Sequence, residues 1–94
     1  MDKLIEANRA EIKRIAGLRG ARRVRIVGSM ARGDAGPESD VDILVDLEQG
    51  RSALVLGGIL MDLQELLGKR VEVVTSAALH PKIRESVLAQ AIDI

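Results

Sequence analysis

Two acidic residues stand two positions apart near the middle of the chain, in the run Ser39-Asp40-Val41-Asp42. The residues that follow alternate as in a strand, which places both carboxylates at its head and on the same face. Paired carboxylates of this kind suit Mg²⁺, a cation that binds one or two carboxylates together with phosphate oxygens. The pattern therefore predicts a metal site at Asp40 and Asp42.

A phosphate cradle is predicted earlier in the chain, at Gly28 and Ser29. These residues follow a predicted strand and precede a short helical turn that ends at Arg32. Free backbone N–H groups at such a turn, together with a hydroxyl, can bind phosphate, and glycine lets the backbone come close to the ligand. A strand end with two carboxylates that faces this cradle is expected to bind a magnesium–triphosphate complex.

Topology places a third carboxylate in the same region. Glu72 lies near the start of a predicted strand, as Asp42 does, so Glu72 comes beside Asp42 if the two strands are parallel neighbours. Three carboxylates at one point repel one another unless cations are bound. The arrangement favours a site for two metal ions that flank a displacement at phosphorus.

The elements that must position these residues alternate between helix and strand. They are a helix from Lys3 to about Ala16, a strand from Arg22 to Val27, a strand from Val41 to Leu47, a helix from Ser52 as N-cap to about Leu67, a strand from Arg70 to Thr75, and a helix from Pro81 through Ile92. The helical crossover makes the last two strands parallel, and the shorter loop favours antiparallel pairing of the first two. The expected fold class is α/β, more closely α+β: a small mixed three-stranded sheet flanked by helices, in the order α-β-turn-β-α-β-α.

Composition narrows the class of protein. Ninety-four residues predict a single domain over 1–94, and an apolar content of 47% indicates a folded globule. The chain has no aromatic residue, which removes the usual means of stacking bases in single-stranded nucleic-acid binders. It has no cysteine, and its net charge of zero argues against bulk DNA or membrane-surface binding. With no apolar run of membrane length and a charged start, a cytoplasmic location is expected.

Several charged residues outside the predicted site are expected to be ordinary surface groups. A basic stretch, Ile12 to Gly33, precedes an acidic one, Gly33 to Gly50, and two solvated surfaces are the simpler interpretation. The alternative is a cleft with basic groups facing phosphate and acidic groups facing metal. Surface roles are expected for Arg22, Arg23, Arg25 and Asp46, with the alternative that one of the arginines reaches a phosphate or an acidic partner. A capping or solvent role is expected for His80.

The spacing of the candidate residues resembles a known family. Gly-Ser, ten residues and then Asp-x-Asp is similar to the signature of the polymerase-β-type nucleotidyltransferase superfamily. The fuller string GSMARGDAGPESDVDILVDLE resembles the superfamily's smallest branch, the minimal nucleotidyltransferases of bacteria and archaea. The resemblance continues through LLGKRVEVVTSAALHPKIRESVLAQA and so covers most of the chain.

The resemblance implies a role for each candidate residue. Asp40 and Asp42 would hold Mg²⁺, with two ions expected, and Glu72 would complete the metal and catalytic set. The remaining candidates would bind the triphosphate of ATP, and they are Gly28, Ser29, Arg32 and the flanking Ser39. The third acid of the family is more usually Asp, so whether the longer Glu72 keeps full activity stays open.

The resemblance also implies a biological role. Many members of this branch pair with a HEPN-domain partner as a toxin–antitoxin system, in which the nucleotidyltransferase transfers AMP to a tyrosine of the HEPN ribonuclease. One alternative is a catalytically weak antitoxin that neutralises its partner by binding. Transfer to a small molecule is a weaker alternative, because 94 residues leave no obvious acceptor-binding domain. A Walker-type NTPase is excluded, since no G-x-x-x-x-G-K-[ST] motif occurs.

Overall fold

The computed structural model describes residues 1–94 as an open sheet of four strands with helices against it. In chain order the elements are α1 Lys3–Ala7, α2 Arg9–Leu18, β1 Ala21–Val27, α3 Gly28–Arg32, β2 Val41–Leu47, α4 Val55–Leu67, β3 Val71–Thr75, a 3₁₀ turn Ser76–Ala78, α5 Pro81–Gln90 and β4 Ile92–Asp93. The strands lie in the order β3-β2-β1-β4. None of the helices combines the length and the apolar character that a membrane span requires.

The pairing of the three longer strands, β1, β2 and β3, confirms the predicted topology. β1 and β2 are antiparallel, with Val27 opposite Asp42. β2 and β3 are parallel, with Asp42 opposite Glu72, and α4 forms the crossover between them. The register therefore brings the two carboxylates from different strands to the same row of the sheet.

An aliphatic core covers one face of the sheet. Side chains from β1, β2 and β3 meet the inner sides of the helices there, and Ile12, Ile26, Ile43, Ile59 and Leu63 are fully buried. Burial of each large aliphatic side chain contributes about 1.5–3 kcal/mol. The other face of the same strands carries Asp42, Leu44 and Asp46, and it is this face that α5 crosses.

The structure divides the first predicted helix and moves the start of the second. The first helix is two helices, because Asn8 leaves the helical conformation and its side chain donates to Leu4 O at 2.9 Å. The second predicted helix begins at Val55 rather than after Ser52, since Ser52 Oγ instead accepts from Leu54 N in a preceding turn. Its predicted end is confirmed: Gly68 adopts a left-handed conformation, with φ of 66°.

The prediction of three strands was wrong, because the last helix ends at Gln90 and a fourth strand follows. Ile92 and Asp93 pair with β1 opposite Ile26 and Arg25. Two residues are too few to show an alternation of apolar and polar side chains, so the sequence pattern could not reveal them. Arg23 binds Asp93 through two contacts of 2.8 Å and holds this strand at the sheet edge.

Candidate active site

The junction of β1 and α3 brings the backbone against an acidic side chain. Gly28 has a φ of 71°, and a Cβ atom there would meet Asp42 Oδ2. Only glycine adopts this conformation without strain, and only glycine leaves room for the carboxylate. The first amide groups of α3 have no partner within the helix, so they are available to an anion.

Asp42 and Glu72 form the carboxylate pair that the parallel register predicts. Burial raises the pKa of Asp42 above its usual value, and the charges of Glu72 and Asp40 raise it further, whereas Arg32 lowers it. Glu72 is exposed and Asp42 is partly buried. A cation would relieve the repulsion between them, and oxygen ligands of this kind suit Mg²⁺.

Asp40 lies beside this pair but does not join it in a tight cluster. It precedes the first residue of β2, and it lines a separate depression together with Lys69 and Arg70. No group of three acidic or histidine side chains is arranged around a common point. The structure therefore assembles Asp42 with Glu72 and leaves Asp40 at the margin, from which its charge still acts on Asp42.

The two flanking candidates differ in how they relate to the carboxylates. Arg32 borders the pocket that contains Asp42, and its Nε donates to Asp34 at 3.1 Å. Ser39 is turned into its own loop, where its Oγ accepts from Gly36 N at 2.9 Å. Ser29 is the second residue of α3, and its carbonyl accepts a hydrogen bond from Gly33 N. The Ser29 hydroxyl has no hydrogen-bond partner in the protein.

A pocket of about 420 Å³ opens from the carboxylate pair toward α5. One end is polar and is formed by Gly28, Arg32, Asp42 and Glu72. The opposite wall is apolar and comes from the segment after β3, with Ala78, Leu79, Ile83 and Val87. A larger depression of about 610 Å³ lies between α2 and α4, but there Asp62 already binds Arg19 at 2.8 Å. In the smaller pocket, neither Asp42 nor Glu72 forms a salt bridge with a basic side chain.

His80 is a pocket residue that the sequence did not reveal as one. The predicted capping role is confirmed, since its Nδ1 accepts from Lys82 N at 3.1 Å at the start of α5. The same residue also lines the pocket with Asp42 and Glu72. Only the path of α5 across the sheet brings it there, and a path of this kind leaves no signal in a local sequence pattern.

The expected surface roles of Arg25 and Asp46 were wrong. Arg25 is only 8% exposed and binds Asp46 at 3.2 Å, and Asp46 in turn accepts from the Ser76 hydroxyl. Arg22 and Arg23 are exposed, as predicted. The Arg25–Asp46 pair, through Ser76, connects β1 and β2 to the turn after β3, on the same face of the sheet as Asp42.

Comparison with protein families matches residues 4–94 to the model of the nucleotidyltransferase domain. A relative from Methanocaldococcus jannaschii, provisionally named a protein adenylyltransferase, is 40% identical over 75 residues, which cover 80% of this chain and 81% of the relative. The protein adenylyltransferase MntA of Thermococcus cleftensis is 34% identical over 94 residues, which cover 100% of this chain and 92% of that protein.

Solved structures show the same architecture. One, described as a provisionally assigned minimal nucleotidyltransferase, superposes with a TM-score of 0.81 at 42% identity and covers 100% of this chain and 97% of its own. A crystal structure of a toxin–antitoxin complex with AMP-PNP gives a TM-score of 0.78 at 18% identity, covering 92% of this chain and 71% of the other. At that lower identity the likeness concerns the fold alone.

Proposed function

This chain belongs to the nucleotidyltransferase domain family, and we propose that it transfers AMP from ATP to a hydroxyl group of a partner protein. The observation that carries the proposal is the pairing of Asp42 with Glu72 on adjacent parallel strands, directly against the backbone of Gly28. This arrangement combines two carboxylates that could bind metal, a backbone turn that could bind phosphate, and a solvent-exposed carboxylate, Glu72. Gly28, Asp42 and Glu72 all line the same pocket.

Asp42 and Glu72 would hold the Mg²⁺ that this reaction needs, with Asp40 as a third carboxylate at the margin of the site. The raised pKa of Asp42 supports this role, because a carboxylate that is partly buried and crowded by two others gains from a nearby cation. When bound, the metal supplies charge neutralisation at the phosphates. The unpaired amides at the start of α3, the Ser29 hydroxyl and the Arg32 guanidinium would bind the triphosphate.

Glu72 is the residue best placed to receive a proton from the acceptor. A tyrosine hydroxyl has a pKa near 10, so it attacks slowly at neutral pH unless a base or metal assists it. In the proposed reaction the hydroxyl proton passes to the Glu72 carboxylate, the oxygen bonds to the α-phosphorus, and the bond to the β-phosphate oxygen breaks. Pyrophosphate leaves, and the acceptor carries AMP.

A HEPN-domain toxin is the proposed acceptor, with this chain as its antitoxin. The support is that similar proteins are named protein adenylyltransferases, and that toxin–antitoxin complexes contain chains of this fold. The surface of the chain is compatible with a protein partner, because Ile83 on the pocket wall is 50% exposed. Tyrosine is the proposed residue because the family resemblance implies it, and because its hydroxyl, with a pKa near 10, is the most acidic of the side-chain hydroxyls and so the easiest for a carboxylate to deprotonate.

Co-expression separates enzymatic antitoxin action from neutralisation by binding. Wild-type chain and Glu72→Gln would each be produced with a HEPN toxin, and cell growth and the intact mass of the toxin measured. The proposal expects wild type to restore growth and to add the mass of AMP to the toxin, whereas Glu72→Gln does neither. Restored growth with an unmodified toxin would instead support neutralisation by binding.

A further inference from the structure

The two ring nitrogens of His80 have different surroundings. Nδ1 accepts from Lys82 N at 3.1 Å, and the carbonyl of His80 accepts from Ile83 N and Arg84 N, both at 3.0 Å. His80 is therefore the N-cap of α5, and Pro81 fixes the backbone of the first helical residue. The contact to Nδ1 fixes the orientation of the ring, which lines the pocket.

The capping bond determines which nitrogen carries the proton. A neutral imidazole has one N–H donor and one acceptor nitrogen. Because Nδ1 is the acceptor for Lys82 N, the proton of the neutral ring lies on Nε2. Nε2 can therefore donate a hydrogen bond but cannot receive a proton, so His80 is unsuited to act as a general base while the cap is intact.

The pocket provides few donors for a polyanion. Besides His80, its polar side chains are Arg32, Asp42, Glu72 and Gln90. Arg32 is the only Lys or Arg among the lining residues, and part of its guanidinium already binds Asp34. A triphosphate bound beside two carboxylates would need further donors, and the Nε2–H of His80 is one that the protein leaves unused.

We propose that His80 binds substrate, donating its Nε2–H to the phosphate chain of the nucleoside triphosphate. This inference rests on the proposed function, since it names a contact within the same pocket. Phosphate is the expected partner because its oxygens accept hydrogen bonds and carry charge. The attacking hydroxyl is not, since it must lose a proton, and a donor directed at it gives no route for that proton.

Two substitutions separate the cap from the proposed contact. His80→Ser keeps a capping oxygen but has no atom that reaches into the pocket, whereas His80→Ala removes both. We expect His80→Ser to keep the wild-type Tm and to bind Mg–ATP about tenfold more weakly or worse, in line with the loss of one hydrogen bond to a charged group. His80→Ala should bind equally weakly and also melt earlier. The measurements are titration calorimetry and thermal denaturation.

Inorganic triphosphate serves as the second probe, because it contains the phosphate chain without the nucleoside. His80→Ser should lose affinity for it by the same factor as for ATP. Wild-type affinity for both ligands would overturn the proposal, and so would a loss confined to ATP. If serine lowers the Tm, His80→Asn, which also caps, is tested by the same criteria. A wild-type chain that binds ATP but transfers nothing would contradict the proposed function and leave the His80 contact standing.

Discussion

Asp42 carries a charge that the metal-free fold disfavours. Burial and the nearby charges of Glu72 and Asp40 raise its pKa above the usual 3.8. Between pH 3.8 and the raised pKa, the folded state therefore binds more protons than the unfolded chain. The stability that protonation of Asp42 provides is present below pH 3.8 and is lost as the pH rises through the raised pKa.

Asp42→Asn should remove this pH dependence. We expect the metal-free variant to be at least as stable as wild type at neutral pH, and to lose less stability than wild type as the pH rises from 4. Mg²⁺ should raise the Tm of wild type more than that of the variant. Thermal denaturation in chelator and in Mg²⁺ measures both effects, with Glu65→Gln, an exposed carboxylate on α4, as the matched control. An Asn variant less stable than wild type in chelator would contradict the repulsion described for this pair.

Substitution of Glu72 should affect the rate of AMP transfer much more than the affinity for ATP. Glu72→Gln should lower the rate of transfer by at least ~10²-fold, as expected for loss of a general base, and should change ATP affinity much less. Glu72→Asp restores the commoner family residue and should stay active. Single-turnover transfer and equilibrium ATP binding provide the two measurements. Wild-type transfer by Glu72→Gln would make this residue an ordinary surface glutamate.

At the scale of elements, the β1–α3 junction should be intolerant of any side chain. Gly28→Ala must adopt a left-handed conformation, which costs roughly 1–2 kcal/mol, and its Cβ would also displace Asp42. Gly57→Ala, in α4 with no atom within 4 Å of the added Cβ, is the control and should stabilise by roughly 0.5–1 kcal/mol. Chemical denaturation gives both free energies of unfolding. Equal effects of the two substitutions would show that the junction is not constrained.

The three longer strands, β1, β2 and β3, could be predicted because their side chains alternate and their connections constrain their direction. The register that sets Asp42 beside Glu72 follows from that direction and from the similar position of each residue in its strand. The fourth strand and the break at Asn8 could not be predicted, since each depends on one or two residues whose conformation is set by tertiary contacts. Burial of Arg25 was missed for a related reason: its partner Asp46 lies on another strand.

In the molecule as a whole, the two faces of the sheet have different roles: one packs into the core and the other carries the candidate active site. One face is closed by α2 and α4 over the aliphatic core, and the other carries the carboxylates beneath α5. Side chains on the core face are expected to affect unfolding alone, whereas Asp42 and Glu72 on the other face are expected to affect transfer. Three large apolar side chains are exposed on or next to the helices that cover the core: Leu18 at the end of α2, Leu54 just before α4 and Met61 within α4.

The central claim is that this site moves a nucleotidyl group, and the position of a radiolabel tests it most directly. The chain and a HEPN-domain toxin would be incubated with Mg²⁺ and ATP labelled at either the α- or the γ-phosphate, with Asp42→Asn in parallel. We expect the toxin to acquire the α-label and not the γ-label. With Asp42→Asn the transfer should fall by ~10²-fold or more, since lost metal binding removes several kcal/mol of charge stabilisation. Transfer of the γ-label, or α-label transfer that Asp42→Asn leaves unchanged, would contradict the account.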